Sequence, residues 1–81
     1  MGKIFEGHVI EIERTENTCE VGILLVGGGV NFSHWPSWAF EIASIAFNTK
    51  KKLTIELVEG AQDLKGASIK KISLRDELPD Q

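Results

Sequence analysis

The period of hydrophobic alternation changes twice along this chain, and that change restricts its fold more than any other feature. Over residues 4–13, Phe5, Gly7, Val9, Glu11 and Glu13 fall on one face of an extended segment, and Ile4, Glu6, His8, Ile10 and Ile12 on the other. Residues 14–18 read as a turn and residues 19–26 alternate again. Gly27, Gly28 and Gly29 can supply the positive φ angles of a tight reversal into a third strand, residues 30–34.

From residue 36 the period becomes helical. Pro36 suits a first helical position, Ser33 and Ser37 offer capping hydroxyls, and Ser37, Glu41, Ser44 and Asn48 form one narrow polar stripe. The spacing predicts a helix over 36–48 whose other side chains sweep an apolar arc of about 220°, twice what one core contact requires. Trp38 and Ile45 lie on one shoulder of that arc, Phe40 and Phe47 on the opposite one, and both shoulders cannot face the same sheet. Trp38, Phe40 and Phe47 are therefore candidate interface residues, and a homo-oligomer, a dimer first, is the expected assembly.

The strand period then returns over 52–59 and 67–74, with a polar loop at 60–66. In the last strand strict alternation puts Ile72 and Leu74 with Ser68 and Lys70, and Ala67, Ile69, Lys71 and Ser73 opposite them. The expected order is β-β-β-α-β-β in an all-β chain with one helix. A chain of 81 residues suffices for one domain, here 1–75 with a flexible tail at 76–81. Such a domain buries only about 60% of the surface its unfolded chain exposes, so a closed barrel that hides its own edges is economical. The strand order is that of the OB-fold, a small five-stranded barrel with a helix between strands three and four.

Several functional classes are disfavoured. Cys19 is alone, so no internal disulfide forms; with no basic, apolar leader and no apolar run of about 20 residues, a cytoplasmic protein outside the membrane is expected. Glu16 and Glu20 flank Cys19 and oppose the thiolate a nucleophile needs. His8 and His34 have no triad or metal-ligand spacing, and the three glycines lack the lysine and helix of a phosphate loop. No enzyme, metal site or cofactor is expected. Residues 1–48 hold two bases against six acids, a balance of −4, whereas residues 49–81 carry +1. Lys50, Lys51 and Lys52 are the one local cluster that phosphate binding could use.

Residues 53–74 resemble the closing hairpin of a cold-shock domain, V-x-F-E-V-x-E-G…A-x-N-V, in strand length, acid-glycine loop and alanine-led last strand. Gly7-His8-Val9 resembles the family's opening G-x-V strand. Asn31-Phe32-Ser33-His34-Trp35 is similar to its V-F-V-H-F motif, with Phe32, His34 and Trp35 at the ring positions. The family's K-G-F-G-F-I motif falls near residues 20–24, where Gly22 is kept but Val21 and Ile23 stand at the aromatic positions. In the G-T-V-K-W-F pattern of strand one, Glu11 replaces the tryptophan. OB-type RNA-binding domains of ribosomal-protein origin are a comparable match.

The resemblance implies an OB-type module that binds single-stranded RNA or DNA weakly through Phe32, His34 and Trp35, with Lys50, Lys51 and Lys52 nearby. A base stacked on a ring contributes about 1–3 kcal/mol, so the missing rings cost much of that affinity. The alternative is a protein-interaction or oligomerisation module that keeps the barrel without nucleic-acid binding. Glu11, Val21 and Ile23 suit that second reading. The two readings differ in one surface property: whether the face of strands one to three is basic and aromatic or acidic and apolar.

Overall fold

The structure is a computed structural model that describes residues 2–75; the expected tail at 76–81 lies outside the described residues. Five strands, β1 (Ile4–Arg14), β2 (Cys19–Leu25), β3 (Val30–His34), β4 (Lys52–Leu57) and β5 (Ile69–Arg75), form one antiparallel sheet in the order β3-β2-β1-β4-β5. Helix α1 (Ser37–Thr49) joins β3 to β4, and a short 3-10 turn, Gly66–Ser68, leads into β5. The order β-β-β-α-β-β therefore holds.

Closure into a barrel does not. β3 and β5 stand as the two edges of an open sheet. β3 has five residues, and Pro36, which has no N–H to pair, follows shortly after it. Beside the end of β3 the 3-10 turn takes the place of a paired strand: a Cβ added at Gly66 would lie 1.9 Å from the His34 carbonyl oxygen. β5 begins only at Ile69, directly after that turn, and pairs with β4 alone.

One face of the sheet, here the inner face, is covered by α1. Val9 stands opposite Ile23, Ile12 opposite Val21, Leu53 opposite Leu74, Ile55 opposite Ile72 and Leu57 opposite Ile69. Ala39, Phe40, Ala43 and Ala46 of the helix are buried against them, the three alanines letting the helix backbone approach closely. Full burial of each of Ile23, Leu53, Ile55 and Leu57 contributes about 1.5–3 kcal/mol. Arg14 closes one end of this core: its guanidinium lies 5.8 Å from the Phe40 ring centroid and donates to the buried Cys19 Sγ at 3.4 Å.

Two β-bulges change the facing that strict alternation predicts. In β1, Val9 pairs with Ile23 and Glu11 with Gly22, which leaves Ile10 as the extra residue, turns Glu11 to the outer face and brings Ile12 inward. In β5, Ile69 pairs with Leu57 and Lys71 with Glu56, so Lys70 is extra and Ile69 joins Ile72 and Leu74 in the core instead of opposing them. The helix start also differs. Pro36 is the extended N-cap residue rather than the first helical one, its carbonyl accepts from the N–H of Ala39 and Phe40, and no side chain caps that end. The Ser33 hydroxyl is engaged elsewhere, by the Trp35 indole. At the other end Lys50 adopts a left-handed conformation, φ 60°, with its N–H bonded to the Ala46 carbonyl.

Candidate functional site

The phase of β3 determines which of its side chains can meet a ligand. The Trp35 N–H donates to the Cys19 carbonyl at 2.9 Å, and the register pairs Ser33 with Val21 and Asn31 with Ile23, both core residues. Asn31, Ser33 and Trp35 therefore share the inner side, and Val30, Phe32 and His34 share the outer one. Trp35 is only 4% exposed and its Nε1–H donates to Ser33 Oγ at 2.9 Å. It is a core residue, and the expectation that it stacks on a base is corrected. Phe32, 53% exposed, and His34 remain on the surface.

Phe32 already has a neighbour. Gly22 is its partner across β2, and a Cβ added there would meet the ring at 2.3 Å. The ring thus lies over the bare glycine backbone on one side and is open to solvent on the other, an aromatic cover for a glycine in a strand. Next in the same row, on β1, stands Glu11. One step along the strands, the row runs His34, Glu20, Glu13, placing two carboxylates directly opposite each other beside the imidazole. One step the other way it runs Val30, Leu24, His8 and then Lys52. Val30 and Leu24 are 49% and 45% exposed.

The three lysines are not gathered beside Phe32. Lys52 lies on β4, three strands from β3 and so roughly 14 Å away along the sheet, and its Nζ is 3.6 Å from Glu6. The left-handed turn at Lys50 sends Lys50 and Lys51 to a separate cleft of about 400 Å³, shared with His8, Val9, Ile10, Ala46 and Phe47 at the end of the helix. Among the described residues, the outer face of β1, β2 and β3 carries Phe32, Leu24, Val30, two histidines and four glutamates, and no lysine or arginine. Arg14, the one base in those strands, pairs with Cys19 on the inner side.

The helix resolves its two shoulders. Phe40 is buried and Phe47 is partly buried against the core, so Phe40 is not available as the interface residue its position in the arc suggested. Trp38 and Ile45, on the opposite shoulder, are about half exposed. Leu24, Val30 and Glu13 also belong to this face and are absent from the residues the sequence singles out, because their placement beside Phe32 and Glu20 follows only once the register is known. The phase of Val21 and Ile23 was the signal that could have located them.

Among the described residues, no three histidine, cysteine or acidic side chains come together as a metal site, and no helix is long and apolar enough to cross a membrane. Comparison of the chain with known proteins finds no matching family model, no matching curated protein and no matching solved structure.

Proposed function

We propose that this chain is a non-enzymatic protein-interaction module that keeps the strand order of an OB-type domain and uses the outer face of β1–β3 to bind a partner protein instead of a nucleic acid. One observation carries the reading: that face sets Phe32, Leu24 and Val30 beside Glu11, Glu13 and Glu20 and holds no lysine or arginine. Affinity for a phosphate backbone comes from neutralising cations, and carboxylates in their place repel it. An apolar centre with an acidic margin is instead complementary to an apolar, basic protein surface.

Oligolysine probes the charge of this face directly. It should shift the amide NMR signals of β1–β3 at low salt, and Glu11→Gln with Glu20→Gln should weaken its binding roughly threefold to tenfold, the effect of losing two exposed charge pairs. Shifts confined to other surfaces, or no shifts, would overturn the reading.

Self-association is the second reading, and the exposed Trp38 and Ile45 shoulder favours it. Under that reading sedimentation shows a dimer in the wild type and a monomer for Trp38→Asp. A wild-type chain that stays monomeric at every concentration rules it out.

A further inference from the structure

The hydrogen bonds that phase β3 also define its free side. The Leu25 N–H donates to the Gly29 carbonyl at 3.0 Å and the Trp35 N–H to the Cys19 carbonyl at 2.9 Å. Antiparallel pairing alternates, so Asn31 and Ser33 exchange bonds with β2 between those two, and the backbone groups of Val30, Phe32 and His34 point the other way. Among the described residues no backbone group pairs with that side of β3. Gly66 packs against the His34 carbonyl, which leaves the N–H and C=O of Val30 and Phe32, with the N–H of His34, as the open edge.

The sheet's two edges differ in their protection. β5 carries Lys70, Lys71 and Arg75, charges of the kind that guard an edge against further pairing. β3 carries no lysine, no proline and no bulge, and its exposed side chains are Val30, Phe32 and His34. Beneath it, the buried Asn31 Oδ1 has no hydrogen-bond partner. The same residues therefore present open backbone groups at the edge and apolar side chains on the face.

From this juxtaposition we infer that β3 is a strand-addition site, which takes an extended segment of a partner protein with apolar side chains opposite Val30 and Phe32 and a lysine or arginine near His34. The inference rests on the protein-interaction reading and specifies its mode. Backbone pairing supplies affinity and alternate side chains supply selectivity. A basic side chain opposite His34 stands two strands, roughly 10 Å, from the backbone of Glu20, a gap that a lysine and a glutamate extended toward each other can span. Charge selects this occupant over a second copy of β3, which has no lysine or arginine to place near Glu20.

The peptide Lys-Thr-Val-Thr-Val-Thr-Lys reads the same in both directions and so tests the site whichever way a strand adds. It should slow hydrogen exchange at the Val30 and Phe32 amides; methylating the nitrogens of its two valines, the donors aimed at β3 in antiparallel addition, or those of its three threonines, the donors in parallel addition, should weaken binding at least about tenfold in one of the two methylated peptides. Binding of both methylated peptides as tight as the parent, or no binding of the parent at millimolar concentration, overturns strand addition. Should oligolysine still shift the face in that case, the interaction reading stands and only its mode is wrong. If neither probe reaches the face, both fail.

Discussion

Gly66→Ala is expected to destabilise the domain by about 3 kcal/mol or more, at the upper end of what overpacking costs and a large part of a small domain's total stability. The added Cβ would lie 1.9 Å from the His34 carbonyl oxygen and 2.5 Å from the Trp35 Cα, and both obstacles are backbone. Backbone cannot rotate away as a side chain does, so the 3-10 turn must separate from the end of β3. That contact brings the turn that leads into β5 against the end of β3, two strands that are not paired. Gly60 provides the control. It has φ +95° and nothing within 4 Å of an added Cβ, so Gly60→Ala introduces backbone strain without collision and should cost about 1–2 kcal/mol. Urea unfolding of the two variants separates collision from strain. A Gly66→Ala domain as stable as Gly60→Ala would mean that the turn does not pack on β3 as described.

Trp35→Ala is expected to cost about 3–5 kcal/mol, as large-to-small changes of buried aromatic residues do. The indole is in the core and donates its N–H to Ser33, so the change removes apolar burial and frees a partly buried hydroxyl. The two tryptophans make the placement visible in fluorescence. With Trp38 replaced by phenylalanine, emission from Trp35 should be blue-shifted and shielded from iodide. With Trp35 replaced, the half-exposed Trp38 should emit further to the red and be quenched. Strong iodide quenching of Trp35 would return that ring to the surface and restore it as a stacking candidate.

Much of this fold is legible in the residues. The period changes locate the three leading strands, the helix and the two closing strands to within a few positions, since alternation reports directly which side chains a sheet buries. The bulges at Ile10 and Lys70 are not legible: each shifts the alternation by one residue, and an isoleucine or a lysine at the extra position carries no mark of it. Barrel closure is equally hidden, because it depends on how far β3 and β5 extend toward each other rather than on either strand's pattern. Lys50, Lys51 and Lys52 show the limit of reading a charge cluster from contiguity. A single left-handed residue sends neighbours in sequence to the helix end and to β4, away from Phe32.

The candidate face was half legible. Glu11 stands out because it falls where the resembling family places a ring. The motif groups Trp35 with Phe32 and His34, yet its odd number places it with Ser33 and Asn31 on the inner side. The motif similarity and the strand period disagreed at this residue, and burial follows the period. What remains of the aromatic set is one phenylalanine over a glycine and one histidine beside a pair of carboxylates.

The most direct measurement is a titration of the protein with oligo(dT) and oligo(rU) at low salt, followed at the amide signals of Phe32, His34, Gly22 and Glu11. A face with four glutamates and no lysine or arginine should give no saturable shift with either oligomer. Saturable shifts centred on Phe32 and His34, weakening as salt is added, would contradict the account and identify β1–β3 as a nucleic-acid surface.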